Sequence, residues 1–421
     1  MGSLATEARS PHRRYYGWVV AGTLAFTETV SWGVLYYAFA VFLVPMQVEL
    51  GWSAATLTGA YSLALLISGL AAPGVGRWLD RHGPRALMTA GSVLGALLVL
   101  AWSRVQEAAV FYLVWAGIGL AMAATLYEPA FATVATWFER ERGKALLLVT
   151  LAAGFASTIF LPLSGWLVGA LGWRPALVAL AAILAAATVL PHALLLRRRP
   201  EDLGLRPDGA PPDDAPRSGG GDESAWATPR QALRDPAFRW LTAAFFLDTF
   251  SLVAVGVHLI PYLVARGDEP GFAASVVGLI GAAQVGARVL ATLLGGRVSQ
   301  VALTAAVFAL QAVALVVLMG WPSRAGVLVA VLLLGAGRGV STLMRAGLVA
   351  ELYGRAHYGA IGGLLALFLT GARALAPVGV GLAYALAGGY VPVFWGLVAV
   401  SVLAALAMLG VGRTRTGNPS W

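Results

Sequence analysis

Charged side chains occur inside long apolar stretches of this sequence, where a charge is costly. The members of this set are Glu28, Glu128, Asp248, Arg288, Arg338, Arg345 and Arg373. One charge at the centre of a transmembrane helix costs about 2.5–3.5 kcal/mol, so seven unpaired charges would cost about 20 kcal/mol. That sum exceeds a typical net folding free energy of about 5–15 kcal/mol. We therefore predict that these groups pair with one another or face a cavity.

Arg288 is the basic residue of this set with the clearest chemistry. It shares a helical face with Gly281 and Gln284 because residues three and four apart are neighbours on a helix. A guanidinium stays charged and presents a planar fork that matches a carboxylate. We predict that Arg288 binds a substrate carboxylate beside Gln284, with help from Arg338. The alternative is that Arg288 forms a structural ion pair.

Glu28 is the acid that lies deepest in the first apolar stretch. Glu28, Trp32 and Tyr36 follow one another at intervals of four residues and would line one helical face. Glu28 follows Gly17 by about 11 residues, which places it about 16 Å into a bilayer, near the midplane. A carboxyl at that depth could carry a proton, so we predict that Glu28 takes part in coupling. Alternatively, it is the structural partner of an arginine such as Arg338.

Other titratable side chains in apolar stretches have weaker support for a proton role. Glu128 lies beside Tyr127 and Pro129 and is a second candidate for coupling, followed by Asp248. His258 is expected to be a buried neutral imidazole or a cap rather than a proton relay.

The composition excludes an ordinary soluble protein. Hydrophobic residues make up 59% of the chain and charged residues 12%, against about 45–50% and about 25% in soluble domains. Cysteine is absent, which excludes disulfides, thiolate metal sites and cysteine nucleophiles. No P-loop, metal-ligand cluster or serine-histidine-acid arrangement is evident in the sequence. We therefore expect no enzyme, no cofactor and no metal.

Twelve apolar segments must position these side chains. They fall at about 16–44, 54–76, 85–103, 108–137, 146–170, 175–196, 239–264, 273–296, 300–320, 326–349, 360–387 and 391–411. Most reach the length of about 20 residues that a helix needs to cross the hydrocarbon core. The segments lack the two-residue alternation of a membrane β-strand. We predict an all-α membrane protein with twelve transmembrane helices.

The distribution of basic residues predicts the orientation. When connections are assigned to alternating sides, 21 of the 29 Lys and Arg residues lie on the side of the N-terminus and four lie on the other side. Cytoplasmic loops retain Lys and Arg, so we predict cytoplasmic N- and C-termini. This topology accounts for the net charge of +9 without nucleic acid as a partner. Arginine in place of almost all lysine suggests a bacterial source and hence an inner membrane. We also expect a monomer.

One hydrophilic stretch divides the chain. Residues 197–238 form a predicted cytoplasmic loop with a linker helix near its end, and residues 218–221 read Ser-Gly-Gly-Gly. The loop separates residues 1–196 from residues 239–421, with six predicted spans in each. We predict two six-helix halves.

The connection between the second and third spans carries a recognisable pattern. It reads Gly76-Arg77-Trp78-Leu79-Asp80-Arg81-His82-Gly83-Pro84-Arg85. This resembles the signature loop of the major facilitator superfamily, G-x-x-x-D-R-x-G-x-R, and the resemblance implies that fold. It also implies a gating role for Asp80, Arg81, Arg85, Gly76 and Gly83. Charge-assisted hydrogen bonds from Asp80 could hold one arrangement of the helices and break in another; the alternative is a solvated basic loop.

Three further stretches are similar to bacterial monocarboxylate transporters and oxalate:formate antiporters within that superfamily. They are residues 15–18 (Tyr-Tyr-Gly-Trp), 137–145 (Trp-Phe-Glu-Arg-Glu-Arg-Gly-Lys-Ala) and 200–208 (Pro-Glu-Asp-Leu-Gly-Leu-Arg-Pro-Asp). The resemblance implies substrate roles for Arg288 and for Arg373 in the eleventh span. Relatives have an acid one turn before that first arginine, where this chain has Gln284, and animal members have a span-one lysine, where it has Tyr36. Those two residues and Trp32 are then expected to shape the site.

The functional hypothesis that follows is a secondary transporter. It would move a small organic anion, a monocarboxylate or dicarboxylate, by alternating access, driven by proton symport or anion exchange. An acid in the first span also suits a proton-coupled exporter of drugs or metabolites, which is the main alternative. A second alternative is a transporter-like sensor that binds its ligand without carrying it.

Overall fold

Helices account for nearly all of the regular structure. The computed structural model describes residues 15–209, 229–294, 299–353 and 358–415, and the side chain of Asp80 lies outside the described residues. The α-helices are α1 Tyr16–Ser31, α2 Phe39–Leu50, α3 Ala54–His82, α4 Pro84–Trp102, α5 Ala108–Thr125, α6 Tyr127–Trp137, α7 Arg142–Gly154, α8 Ala156–Leu171, α9 Trp173–Leu184, α10 Leu190–Leu195, α11 Pro229–Arg234, α12 Pro236–Ala265, α13 Pro270–Leu294, α14 Gln300–Gly320, α15 Arg324–Tyr353, α16 Tyr358–Ala387 and α17 Tyr390–Arg415.

Twelve of these helices or helix groups are long and apolar enough to cross a membrane, as the sequence predicts. The predicted linker helix before the seventh span is observed as α11. Local chemistry sets several helix ends. Ser53 accepts a hydrogen bond from the Thr56 amide at 3.0 Å and caps α3. Gly83, at φ 75°, separates α3 from α4, which begins with Pro84.

Four of the twelve spans are interrupted. A π-helical turn, Trp32–Tyr37, joins α1 to α2, and another, Ala185–Val189, joins α9 to α10. Leu126 is extended and divides the fourth span into α5 and α6. The fifth span divides at Phe155 between α7 and α8. Interruptions inside a membrane span are tolerated where they face protein or a cavity rather than lipid.

Two helix pairs form the most extensive contacts between the first six spans and the last six. Where α3 meets α16, Ser62 accepts a hydrogen bond from the Val378 amide at 3.2 Å, and a Cβ on Gly381 would lie 2.6 Å from the Thr58 hydroxyl. Where α8 meets α13, Thr158 donates to the Gly278 carbonyl at 2.8 Å. Small residues at these positions let the helix backbones approach closely. The division into two halves stays a prediction.

Glycines also bring α13 and α15 together. A Cβ on Gly335 would lie 2.8 Å from the Ile280 carbonyl oxygen, and one on Gly339 would overlap the Gln284 carbonyl. Close packing of α13 against α15 therefore depends on these two glycines. It places Arg338, next to Gly339, beside the helix that carries Arg288.

Candidate functional site

The π-helical turn in the first span changes which side chains share a face. The Ala38 amide bonds to the Gly33 carbonyl, five residues back, at 2.9 Å. Consequently Trp32, Tyr36 and Tyr37 come together, with ring centroids 4.9 Å (Trp32 to Tyr36) and 5.1 Å (Tyr36 to Tyr37) apart. Position 33 requires glycine, because a Cβ there would overlap the Phe160 ring. Such π-turns are frequent at functional sites.

Two tyrosines from other helices extend this surface. Tyr127, at the start of α6, lies 4.8 Å from Trp32 between ring centroids, and Tyr61 on α3 lies 5.8 Å from Tyr36. The Tyr61 hydroxyl donates to the Tyr36 carbonyl at 3.2 Å. We call Trp32, Tyr36, Tyr37, Tyr61 and Tyr127 the aromatic wall. The sequence pattern did not indicate Tyr37 or Tyr61 as site residues, and it indicated Tyr127 only as a neighbour of Glu128.

Glu28 lies behind the aromatic wall and is fully buried. Its Oε2 accepts a hydrogen bond from the Trp32 indole at 3.0 Å. Its Oε1 has no hydrogen-bond partner among the described residues. The alternative of a structural pair with Arg338 is wrong for this structure, because Glu28 forms no ion pair with a described residue. Glu128 is exposed in the first turn of α6, where its charge acts on Glu28.

Arg338 faces the aromatic wall from the last six spans. Its guanidinium carbon lies 5.5 Å from the centroid of the Tyr37 ring, a cation–π distance. It is half-buried and forms no ion pair with any described carboxylate. A buried cation normally has an anionic or hydrogen-bonding partner. Among the described residues, Arg338 contacts aromatic faces in place of an anionic partner.

Arg288 lies near the same surface, on α13. Its Nε donates to the Gly339 carbonyl at 3.3 Å and its Nη1 to the Thr150 carbonyl at 3.3 Å. Both distances are at the long end for such bonds. The charge of Arg338 and the Tyr127 phenol act on it electrostatically. The structure thus brings the two arginines and the aromatic wall to one region.

The remaining predicted binding residues differ in their surroundings. Gln284 is buried, and its Nε2 donates to the Gly154 carbonyl at 2.9 Å, so it connects α13 to α7. Arg373 is half-buried on α16 and, among the described side chains, forms no hydrogen bond, ion pair or cation–π contact with the aromatic wall or the two arginines.

Asp248 forms a separate polar group in the last six spans. It is 3% exposed, and its Oδ1 accepts from the Gln311 amide at 2.8 Å while its Oδ2 accepts from the Ser341 hydroxyl at 2.7 Å. The sequence pattern gave Asp248 weak support as a proton site and did not indicate either partner. Polar residues inside apolar helices α14 and α15 were the available signal.

His258 is a buried imidazole with both nitrogens occupied. Its Nε2 lies 3.0 Å from the Pro377 carbonyl, which can only accept, so this nitrogen carries the hydrogen. Its Nδ1 then accepts from the Tyr390 hydroxyl at 3.3 Å. This arrangement fits the neutral structural imidazole that the sequence predicts.

The signature loop lies where α3 turns into α4. Arg85 donates from Nε to the Ala193 carbonyl at 2.6 Å, and the side chain of Arg198 packs against Gly83. Gly76 has open space around it among the described residues. The predicted role of Asp80 concerns a side chain outside the described residues.

The three stretches of residues 15–18, 137–145 and 200–208 meet at the same end of the bundle. The Tyr15 hydroxyl donates to the Trp137 carbonyl at 2.6 Å, and burial raises the pKa of Tyr15 to about 12. The Asp208 carboxylate accepts from the backbone amides of Glu139 and Arg140 at 3.0 and 2.6 Å. Residues 196–209 therefore form a strap that is bound to the first six spans.

Comparisons with known proteins agree with this architecture. A solved bacterial homologue of the human lysosomal transporter Spinster, in an inward-facing and occupied conformation, superimposes with a TM-score of 0.73 at 14% identity, covering 97% of this chain and all of that chain. The nucleoside transporter NupG superimposes with a TM-score of 0.68 at 15% identity, covering 94% of this chain and 99% of that one. At these identities the likeness shows the fold alone.

Sequence relatives are more specific. Monocarboxylate transporter 13 of Rattus norvegicus is 28% identical over 287 residues, which cover 67% of this chain and 62% of the rat protein. The oxalate:formate antiporter of Oxalobacter formigenes is 26% identical over 248 residues, or 57% of this chain and 53% of the antiporter. The matched region is thus less than two thirds of either relative's length.

The predicted resemblance is confirmed at the level of the family. A family model described as Major Facilitator Superfamily matches residues 23–377, which include the signature loop, the aromatic wall and both arginines of the site. The twelve membrane-spanning helices and the solved neighbours agree with that match. The chain therefore belongs to the Major Facilitator Superfamily and is a multi-pass membrane transporter, not an enzyme.

Proposed function

We propose that this transporter carries a small organic anion, whose carboxylate binds Arg288 and Arg338 against the aromatic wall. The observation that carries the proposal is Arg338, a half-buried guanidinium on Tyr37 without an ion-pair partner among the described residues. A carboxylate would supply the missing charge and accept two parallel N–H bonds. Relatives named monocarboxylate transporter and oxalate:formate antiporter support an anionic substrate.

The surroundings favour an acceptor-rich ligand. The hydroxyl groups of Tyr37 and Tyr127 form no hydrogen bond with described residues, and each can donate one. Trp32 adds an apolar face to which a short carbon chain can pack. Gln284 orients α13 through its bond to Gly154, and Arg373 is proposed as an accessory contact.

Transport by alternating access is proposed to use the two six-helix halves as moving bodies. The signature loop, with Asp80, Arg81, Arg85, Gly76 and Gly83, acts as the gate at the end that carries the strap. That end is assigned to the cytoplasm of a bacterial inner membrane, and the protein works as a monomer. Glu28, with Glu128 nearby, is the proposed proton-coupling acid in the first six spans.

The test is an Arg288→Lys variant in proteoliposomes. Lysine keeps the charge but loses the planar fork, so carboxylate binding should weaken by about 2–5 kcal/mol. That is a loss of roughly 30-fold to several-thousand-fold in affinity. Exchange of acetate, lactate, oxalate and succinate is measured together with the melting temperature. Arg104→Lys, in an exposed connection, is the matched control.

Three results would overturn the proposal. If Arg288→Lys bound carboxylates with wild-type affinity, Arg288 would have a structural role and would not bind the substrate. Efflux of a lipophilic cation that depends on Glu28 and ignores Arg288 would favour the exporter. Carboxylate binding without exchange would favour the sensor.

A further inference from the structure

Asp248 is a buried acid whose two oxygens are held only by neutral groups. Gln311 and Ser341, on α14 and α15, donate to it at 2.8 and 2.7 Å. All three residues are less than 5% exposed. Asp248 forms no ion pair with a described Arg or Lys residue. It follows Pro236, the first residue of α12, by about 12 residues, which places it about 18 Å along that helix, near the middle of a span.

The strongest charges that act on Asp248 come from α15. They are Arg345 and Arg338, which share a helical face with Ser341 because they lie four residues after it and three before it. Gly337 lets Gln311 pack against the same turn, since a Cβ there would lie 2.9 Å from Gln311 Cγ. Asp248 is therefore connected through one turn of α15 to the arginine that faces the aromatic wall.

Ionisable groups on the other helices that contact α12 do not hydrogen-bond to Asp248. In the described part of the chain these are Arg234 on α11, Glu49 on α2, Arg288 on α13, Arg373 and Tyr384 on α16, and Tyr390 and Arg413 on α17. On α12 itself, His258 is occupied by Pro377 and Tyr390. The charge state of Asp248 therefore has its closest electrostatic link to α15.

Ser341 lets this group accept a proton without rearrangement. A hydroxyl can donate or accept, so when Asp248 Oδ2 gains a proton, the Ser341 hydroxyl rotates and accepts it. The Gln311 amide keeps donating to Oδ1. The heavy atoms can stay in place, and only the direction of one hydrogen bond reverses.

We propose that Asp248 is the proton-binding site of the last six spans, and that its proton and the substrate carboxylate bind together next to Arg338. This inference rests on the proposed function. With no substrate, the ionised Asp248 balances part of the positive charge of α15. When the carboxylate binds Arg338, Asp248 takes one proton from water, and the local net charge does not change. The loaded site then carries one anion and one proton across the membrane together.

Linkage between the two ligands gives the test. If one proton binds with each anion, the affinity for the anion falls about tenfold per pH unit above the midpoint of Asp248 titration. Asp248→Asn mimics the protonated acid, since its amide can donate to Ser341 and accept from Gln311. We expect Asp248→Asn to bind lactate and oxalate with a pH-independent affinity. It should release or take up no proton on binding, and it should exchange anions without accumulating them on a pH gradient.

Two variants separate this effect from a structural one. Ser341→Ala keeps the acid but removes the hydroxyl. The anion affinity should therefore still fall with pH at the same slope, but the midpoint of the pH dependence should move. Ser401→Ala removes a hydroxyl that pairs with Ser251 at 3.0 Å, equally buried and not hydrogen-bonded to Asp248, and should move neither. These measurements need only folded protein that binds the probes. If Asp248→Asn is expressed too weakly to measure, the midpoint of Ser341→Ala decides the proposal.

The outcomes distinguish the two proposals. If wild-type protein binds none of the probes at any pH, the proposed function fails. If binding depends on Arg288 but Asp248→Asn keeps the wild-type slope and proton uptake, only the role of Asp248 is overturned. Loss of the slope in Glu28→Gln, with the slope intact in Asp248→Asn, would also overturn it and assign the proton to Glu28. An unchanged midpoint in Ser341→Ala would contradict the hydroxyl switch.

Discussion

At the scale of single residues, the two buried acids Glu28 and Asp248 differ in the number of hydrogen bonds that their carboxylates accept. Glu28 has one hydrogen bond, from Trp32, and an oxygen without a partner among the described residues. Asp248 has both oxygens bonded. A buried acid with a free oxygen can accept a proton there directly, whereas an acid with two donors accepts one only if a hydrogen bond reverses its direction. The two acids are therefore expected to respond differently to neutralisation.

The prediction for Glu28 follows from this difference. Glu28→Gln keeps the acceptor for the Trp32 indole and removes the titratable oxygen. If Glu28 carries a coupled proton, uphill accumulation driven by a pH gradient should be abolished while counterflow persists at a reduced rate. Uptake by proteoliposomes with and without an imposed gradient checks this. Glu107→Gln, in the exposed connection before α5, is the control, and intact uphill uptake would exclude Glu28.

The chemistry of single residues predicts some members of the candidate site and not others. The cost of charge in lipid identified Arg288, Arg338 and Glu28, and the structure brings all three to one region. Spacing could not identify Tyr37, because an uninterrupted α-helix turns it about 100° away from Tyr36. Nor could it pair Asp248 with Gln311 and Ser341, since that contact joins three helices far apart in sequence.

At the scale of elements, residues 15–18, 137–145 and 200–208, which resemble the family, contact one another where the strap binds the first six spans. Asp208, at φ 59°, directs its carboxylate to the backbone amides that precede α7. Those amides have no partner inside the helix, and a carboxylate there also interacts favourably with the helix dipole. The sequence resemblance marked these stretches, but only their packing shows that they contact one another.

The strap can be tested by Asp208→Asn. Asparagine tolerates the left-handed backbone and keeps one acceptor, but it loses the charge, so stability should fall by about 0.5–2 kcal/mol, the range for a lost cap. The melting temperature in detergent measures the change. Asp202→Asn, exposed in the same strap, should leave it unaltered. An equal effect of both variants would mean that net charge, and not the cap, is responsible.

At the scale of the whole molecule, the contact between α3 and α16 is where alternating access should be visible. A Cβ on Gly381 would lie 2.6 Å from the Thr58 hydroxyl, so the two positions are in direct contact, and cysteines there reach disulfide geometry after a small backbone shift. The natural chain has no cysteine, so an engineered pair is the only thiol pair present. If the two sets of six helices separate at this place in each cycle, joining them must stop the cycle.

We therefore expect Thr58→Cys with Gly381→Cys to lose transport on oxidation and to regain it on reduction. Flux in proteoliposomes before and after reductant is the measurement. Ser251→Cys with Ser401→Cys joins α12 to α17 within the last six spans, where the two hydroxyls lie 3.0 Å apart, and should tolerate oxidation. Full cross-linking of the first pair without loss of flux would mean that α3 and α16 stay together throughout the cycle.

The π-helical turn at Trp32–Tyr37 also has a consequence for the lengths of chain that this fold can accept. A π-turn is an α-helix with one additional residue, so its removal would restore regular α-helix and rotate all of α2 by about 100°. Phe39, Phe42 and Leu43, which are now fully buried, would turn away from their present neighbours, and Tyr37 would leave Arg338. Most substitutions in this turn change one contact, whereas a single-residue deletion would change the whole second half of the first span. Related chains that differ here by one residue in length should therefore differ in the composition of α2 as well.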